Sequence, residues 1–208
     1  GPAKSLIAES FVKFSREVSI IAVRGQDGDV KTWALAENHH HNGILSHSIV
    51  PAPNSTDLQP VAQDYITRLL NHLNYVGVLT LELFVTEQGL YANEMACRVH
   101  NSGHWSIEGA ICSQFENHIR AVAGLPLGAT DVVRPTVMVN IIGQHPKSED
   151  VLALKGAHLH LYNKSERAGR KLGHITLMPN NSDELTDLCR QLAQILPVPL
   201  ALTTDMNI

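Results

Sequence analysis

Glu82 stands in the middle of Val78-Leu79-Thr80-Leu81-Glu82-Leu83-Phe84, a run that reads as a buried strand. Strand side chains alternate faces, so Glu82 shares a face with Thr80 and Phe84. An ionised carboxylate there is costly unless it is paired or metal-bound. The partner strand, Leu90–Ala96, carries Asn93-Glu94, and Thr86-Glu87-Gln88-Gly89 joins the two. A three-residue loop, Glu87-Gln88-Gly89, with Gly89 in the left-handed position, sets Thr86 opposite Leu90, Phe84 opposite Ala92 and Glu82 opposite Glu94. Like charges directly opposite destabilise a sheet. A divalent cation between them reverses the sign, and carboxylates that bridge hydrated Mg2+ to phosphate are a common nucleotide-site design. The competing reading is a slip of one residue, which turns Glu94 to solvent.

Around this hairpin, strands and helices alternate. Residues 7–24 read as extended, Gln26-Asp27-Gly28-Asp29 as a turn, and Val30–Glu37 as a second strand closing a hairpin. Residues 38–56 are polar and read mostly as loop. Helical spacing of Ala62, Tyr65, Ile66, Leu69, Leu70 and Leu73 predicts a helix over Asp57–Asn74. Strands follow at Val76–Val85 and Leu90–Ala96, then a helix over Ser113–Ala123 with Ser113 and Glu116 as a capping box. Leu125–Arg134 reads as a linker. Beyond it come strands at 136–142, 157–162 and 172–178, a basic loop before the last, and a helix over 182–196 stopped by Pro197. Hairpins rather than strict βαβ units predict an α+β fold.

Composition narrows the function classes. With 16 Lys+Arg against 20 Asp+Glu the net charge is −4, so no global basic field drives nucleic-acid binding. No apolar run approaches the ~18–20 residues that span a bilayer. Cys97, Cys112 and Cys189 form no CxxC pair, which argues against a disulfide framework and fits a reducing cytosol. The opening Gly1-Pro2 resembles a protease-cleavage scar and is left out of fold reasoning.

Chemistry-bearing residues crowd the segment after the carboxylate strand. Arg98-Val99-His100-Asn101-Ser102-Gly103-His104-Trp105 packs a guanidinium, two imidazoles, an amide and a hydroxyl into one turn-prone stretch. Arg suits bidentate binding of oxyanions, and an imidazole moves protons near neutral pH. Lys164, Arg167, Arg170 and Lys171 form a basic loop diluted by Glu166, open to two readings: a phosphate site or a solvated hairpin tip. His39-His40-His41 is not read as a metal tract, because adjacent histidines point different ways.

These residues carry a resemblance. Glu82, then Asn93-Glu94-Met95-Ala96-Cys97-Arg98-Val99-His100-Asn101-Ser102-Gly103-His104-Trp105-Ser106-Ile107-Glu108-Gly109 and Ser113-Gln114-Phe115-Glu116, is similar to the PurK family of ATP-grasp enzymes. Glu17-Val18-Ser19, Glu37-Asn38-His39-His40, His160-Leu161-Tyr162-Asn163-Lys164 and Gly169-Arg170-Lys171-Leu172-Gly173-His174 extend it over nearly the whole chain. The His-Asn-Ser-Gly-His-Trp run is its most specific element.

The resemblance implies part of an ATP-grasp large lobe over 3–124, an antiparallel sheet with helices, and a small, mostly β C-terminal domain over 125–208. It implies a ligase of de novo purine biosynthesis in the cytoplasm. ATP and bicarbonate give carboxyphosphate, which carboxylates 5-aminoimidazole ribonucleotide and releases ADP and phosphate. Residue by residue, it puts Glu9, Ser10, Phe11 and Val12 beside adenine, Glu17 on the ribose and His40 near the nucleotide. Glu82 and Glu94 would hold Mg2+, with Asn93 beside them. Arg98 would hold bicarbonate or the transferring phosphate, and His100 and Asn101 would meet bicarbonate or the imidazole. Lys164 and Arg170 would take the ribonucleotide 5′-phosphate. Read by itself, Glu17 is equally an ordinary strand-edge charge.

Cys97 stands where that family usually has Pro, and no Gly-rich phosphate loop is found. The resemblance therefore implies a C-terminal portion of a homodimeric enzyme, inactive by itself. The alternatives are another ATP-grasp ligase, against which the Arg98–Trp105 run speaks, and a non-catalytic nucleotide-binding module.

Overall fold

The computed structural model describes residues 9–198. Residues 3–8 and 199–208 of the two expected domains, and the first two residues of the expected extended segment 7–24, lie outside the described residues.

One antiparallel sheet organises the chain. Its strands are β1 (Arg16–Arg24), β2 (Val30–Thr32), β3 (Ala36–His41), β4 (Ile44–Val50), β5 (Gly77–Thr86), β6 (Gly89–Ala96), β7 (Thr136–Ile142), β8 (Ala157–Leu161) and β9 (Lys171–Leu177). They lie in the order β6-β5-β1-β3-β4-β7-β9-β8, with β2 paired to the end of β1. The helices are α1 (Leu58–His72), α2 (Ser106–Gly109), α3 (Gln114–Val122), α4 (Ser148–Leu152) and α5 (Ser182–Ile195). The α+β expectation holds.

Both faces of the sheet are covered, which explains the unbroken apolar run of β1. Val18, Ile20 and Ala22 pack with Leu79, Leu81 and Leu83 of β5 and with Ala62, Ile66 and Leu70 of α1. Ile21 and Val23 join Trp33, Val78, Trp105 and Ala121 on the other face. A strand covered on both sides loses its polar alternation. The α5 stripe Leu185, Leu188, Cys189 and Leu192 packs on Ile49, Val137, Val139, Ile175 and Leu177. Val18 pairs with Glu37, and Glu37 with Ile49, so α1 and α5 cover one face. The other face carries α2, α3 and the polar residues described below.

Two expectations are corrected. Residues 38–56 are not mostly loop: β3 and β4 form a hairpin there, closed by Asn42-Gly43 at φ 51° and 73°. A two-residue Asn-Gly loop with both φ positive is the favoured hairpin connection. The strand composition hid it, because Ser46, His47 and Ser48 of β4 are polar yet buried. Second, the expected strand Val30–Glu37 breaks at Trp33-Ala34-Leu35. Its first part, β2, pairs with Ala22–Arg24, and its continuation β3 pairs with Glu17–Ser19. The indole of Trp33 is buried, with Nε1 donating to Cys112 O.

Gly173 marks a close approach between β8 and β9. A Cβ there would lie 2.2 Å from the backbone O of His160. Gly173→Ala is expected to cost about 1–3 kcal/mol by overpacking, read as a lower urea midpoint. An unchanged midpoint would show that the two strands part freely at this point.

Candidate active site

Three β-bulges set the face on which the functional side chains project. In the β5–β6 hairpin, Thr86 pairs with Gly89, Phe84 with Tyr91 and Leu83 with Ala92. The loop is thus the two-residue Glu87-Gln88, and the expected pairings of Thr86 with Leu90 and Phe84 with Ala92 are corrected. The register then shifts at Asn93, so that Glu82 does face Glu94. Without that extra residue Glu94 would continue the core side of Leu90 and Ala92. In β3–β4 the shift makes Ser46 the extra residue and pairs His40 with Leu45. In β7–β9 Leu172 is extra, between Gly173 and Lys171. Leu172 thereby joins the core with Ile175 and Leu177, and Lys171 turns to the opposite side. Bulges of this kind re-aim side chains beside sites.

The result is one cleft of about 480 Å³, lined among others by Asn38, His40, Glu82, Glu94, His100, Lys164, Arg170 and Lys171. Segments far apart in sequence, the carboxylate hairpin, the turn after it and the basic loop, meet there.

His100, and not Arg98, is the side chain that meets the carboxylate pair. Its Nε2 lies 3.0 Å from Glu82 Oε1. That hydrogen bond holds the Glu82 carboxyl below its ordinary range against the opposing effect of burial, and His40 and Lys171 push the same way. Arg98 is exposed and donates to Val99 O at 3.0 Å. It still acts on the cleft, adding to the burial that lowers the Lys171 ammonium, while Glu82 opposes.

His100 is placed by local structure. It caps a short 3-10 turn, Asn101–Gly103. Its backbone N–H donates to Gln114 Oε1 at 2.9 Å, and its C=O accepts from Gln114 Nε2 at 2.7 Å. Gly103 cannot carry a side chain, since a Cβ would lie 2.3 Å from Ile21 Cδ1. Asn101 exchanges amide hydrogen bonds with buried Asn140 at 2.9 and 2.7 Å, and its Oδ1 accepts from Lys171 Nζ at 2.8 Å.

Of the remaining expected residues, His40, Lys164 and Arg170 line the cleft, whereas Glu17, Asn93 and residues 9–12 do not. Glu17 Oε2 pairs with His40 Nδ1 at 3.0 Å, so these two do come together. Asn93 is the exposed bulge residue. Glu9, Ser10, Phe11 and Val12 lie outside regular structure, Phe11 93% exposed, and none lines the cleft. In the basic loop, Lys164 Nζ lies 5.3 Å from the Tyr162 ring centroid, and Arg170 Nη1 donates to Ser165 Oγ at 3.1 Å. Glu166, which dilutes the patch in sequence, turns aside to accept from His145 N–H at 2.8 Å.

Sequence reasoning missed Asn38 and Asn140 as members of the site, and it placed Lys171 only in the basic loop and not against Asn101. Strict alternation from Ile175 would have buried Lys171; only the bulge exposes it to the cleft. Among the described residues no group of three or more His, Cys, Asp or Glu is arranged to hold a metal ion. A carboxylate pair nonetheless fits Mg2+, which keeps several waters and takes one or two carboxylates plus phosphate.

Comparison with known proteins agrees with this architecture. Residues 2–115 match the family model of the ATP-grasp domain, and residues 136–187 that of the phosphoribosylaminoimidazole carboxylase C-terminal domain. The N5-carboxyaminoimidazole ribonucleotide synthase of Vibrio vulnificus is 50% identical over 195 residues, 94% of this chain and 51% of that protein. The crystal structure of the synthetase from Thermus thermophilus superposes with a TM-score of 0.89 at 51% identity, covering 91% of this chain and 53% of that one. The Aspergillus clavatus synthase in complex with ADP and 5-aminoimidazole ribonucleotide gives a TM-score of 0.82 at 31% identity, covering 89% and 52%. The chain spans about half the length of the curated relatives it matches. On the family model that matches more than half of it, the chain belongs to the ATP-grasp family, and the relatives it resembles at about 50% identity are N5-carboxyaminoimidazole ribonucleotide synthases.

Proposed function

We propose that the chain is part of an ATP-dependent carbon–nitrogen ligase that carboxylates 5-aminoimidazole ribonucleotide with bicarbonate in purine biosynthesis. The observation that carries this reading is the single cleft in which the Glu82–Glu94 pair, His100 and the basic residues Lys164 and Arg170 meet. A phosphoryl-transfer centre and a binding site for a phosphorylated acceptor need that proximity.

The chemistry accounts for the residue types. Bicarbonate is a poor electrophile because hydroxide leaves badly. Phosphorylated to carboxyphosphate, it loses phosphate readily, and the amine of the ribonucleotide takes the carboxyl group. Carboxyphosphate also hydrolyses, so the site must exclude water. Glu82 and Glu94 would hold Mg2+, which would supply charge neutralisation to the phosphates. Arg98 holds bicarbonate or the transferring phosphate, and His100 and Asn101 orient bicarbonate or the imidazole. Glu9, Ser10, Phe11, Val12, Glu17, His40 and Asn93 form the nucleotide side, and Lys164 and Arg170 take the 5′-phosphate. The product is the 5-carboxyamino ribonucleotide, with ADP and phosphate. We read 3–124 and 125–208 as two units of this enzyme, a cytoplasmic homodimer.

The reading is tested on a full-length enzyme that carries this sequence. ATP turnover should depend on both the ribonucleotide and bicarbonate. Turnover that needs neither, or a different acceptor, would move the chain to another ligase.

A second measurement addresses the basic loop. Each charge-assisted hydrogen bond to a phosphate contributes about 1.5–3 kcal/mol. Lys164→Ala and Arg170→Ala should therefore raise the KM for the ribonucleotide by ~10–100-fold and that for ATP far less, since uniform binding is what is lost. Ribonucleotide KM values unchanged in both variants would make the loop a solvated hairpin tip.

A further inference from the structure

A chain of buried polar side chains runs beneath the cleft and ends on His100. Ser48 Oγ donates to Asn38 Oδ1 at 2.8 Å, Asn38 Nδ2 to Ser19 Oγ at 2.9 Å, and Ser19 Oγ to Ser102 Oγ at 2.8 Å. Ser48, Ser19 and Ser102 are 0% exposed and Asn38 is 7% exposed. Ser19 interrupts the apolar run of β1, between Val18 and Ile20. Polar groups at such depth cost free energy unless every one is satisfied. Here they are satisfied by one another.

The direction of the chain is fixed at its last link. Ser102 meets the imidazole twice: its Oγ lies 2.8 Å from Nδ1, and its backbone N–H points at the same atom from 3.3 Å. A backbone N–H can only donate, so Nδ1 accepts and the ring proton sits on Nε2. Ser102 Oγ, 2.8 Å from an accepting nitrogen, must then donate to it. Its proton used, Ser102 Oγ has to accept from Ser19. Ser19 in turn accepts from the amide nitrogen of Asn38, which leaves Asn38 Oδ1 to accept from Ser48. One backbone amide thus orders every proton along the chain.

We infer that Ser102, supported by Ser19, Asn38 and Ser48, is a positioning device that holds His100 in its Nε2–H tautomer. The single ring proton is aimed at Glu82 Oε1, 3.0 Å away. His100 then serves as a hydrogen-bond donor that orients Glu82, and Nε2 is not available as a base. A neutral imidazole has one donor and one acceptor nitrogen, and the partner of one decides the role of the other. Ligand carboxylates are commonly oriented by hydrogen bonds of this kind. The catalytic consequence rests on the proposed reaction; the tautomer does not.

The test uses the full-length enzyme with 15N-labelled histidine. Ring-nitrogen spectra distinguish the two tautomers, and His100→Gln identifies the His100 signals by their loss. The wild type should show a protonated Nε2 and an accepting Nδ1. Ser102→Ala keeps only the long amide contact. The second tautomer should then appear, and kcat should fall ~10–100-fold, the usual loss for such an orienting partner, with the KM for ATP little changed. Ser19→Ala, which touches neither the imidazole nor the cleft, should move spectrum and kcat in the same direction by less. Ser19→Cys, a weak donor, should fall between. Ser19→Ala carries the test where Ser102→Ala does not fold.

A protonated Nδ1 in the wild type overturns the inference. So do serine variants with wild-type spectra and wild-type kcat. If His100→Gln turns over like the wild type, the catalytic consequence is overturned through the reading of the site, and the spectra still decide the tautomer.

Discussion

Lowering the pH from 8 to 5 is expected to remove on the order of 6 kcal/mol of folding stability from the chain, about 2 kcal/mol for each of three histidines. Burial lowers His47 to about 3, with His39 adding to the shift and Glu37 opposing it. Burial lowers His174 to about 3, helped by His104 and His160. Burial lowers His104 to about 4, helped by His100, Lys171 and His160. Geometry agrees. His47 stacks on His39 with ring centroids 4.4 Å apart, and His174 stacks on His160 at the same separation. The Nε2 atoms of His47 and His174 are buried without a hydrogen-bond partner.

In the unfolded chain each of these rings titrates at ~6.5. Below that pH the unfolded state binds more protons than the native state, so stability falls as the pH falls, and keeps falling until the native pKa is reached. The lowered carboxyls of Glu37 and Glu82 act in a separate window, below their ordinary value of 4.5, where their contribution is lost in turn. Domains of this size are stable by ~5–15 kcal/mol, so the melting temperature should drop steeply between pH 7 and pH 5. His47→Gln should remove about a third of that slope. A melting temperature flat from pH 8 to pH 5 would show that these rings are not held neutral by burial.

The sequence makes the helices and the strand periodicity readable because each obeys one period over many residues. Ala62, Ile66 and Leu70 of α1 and Leu185, Leu188 and Leu192 of α5 bury the faces their spacing predicts. What was hidden depends on exceptions to a period. β4 is polar because the buried hydroxyls of Ser46 and Ser48 are satisfied by groups 7–10 residues away on β3. No pattern confined to one strand reveals that. Lys171 and Glu94 reach the cleft only through bulges, which reverse the alternation that would have sent both toward the core. Glu82 opposite Glu94 was legible, although by another route: a shorter turn than expected and a bulge at Asn93 together keep the facing that the longer turn would have produced. The pairing of Asn101 with Asn140 and Lys171 joins residues 39 and 70 positions apart. Such contacts follow from the sheet order, which places β4 between β3 and β7, and not from any local signal.

Glu82→Gln and Glu94→Gln are each expected to lower kcat/KM of the full-length enzyme by ~10³-fold, since a bound metal ion contributes several kcal/mol of charge stabilisation and each 1.36 kcal/mol is tenfold. The substitution keeps shape and removes charge. In Glu82→Gln the new amide oxygen would still accept from His100, so the effect isolates the carboxylate. Raised Mg2+ should restore part of the loss, because fewer hard ligands weaken the site without abolishing it. Glu82 should be the more sensitive: it is half-buried, faces His100, His40 and Lys171, and is held ionised by them. Glu94 is exposed, opposite Glu82. The same substitution should have the opposite sign on folding. Two carboxylates directly across an antiparallel pair repel, at a cost of ~0.2–1 kcal/mol. In metal-free solution Glu94→Gln should therefore raise the melting temperature slightly, and added Mg2+ should stabilise the wild type more than the variant. That reversal separates a ligand pair from an ordinary surface pair, whose substitution would neither lower turnover nor change the response to Mg2+. If both variants keep kcat/KM within a few-fold of wild type at equal Mg2+, and Mg2+ stabilises all three proteins alike, the two carboxylates are not the metal site, and phosphoryl transfer must rest on other residues of the cleft.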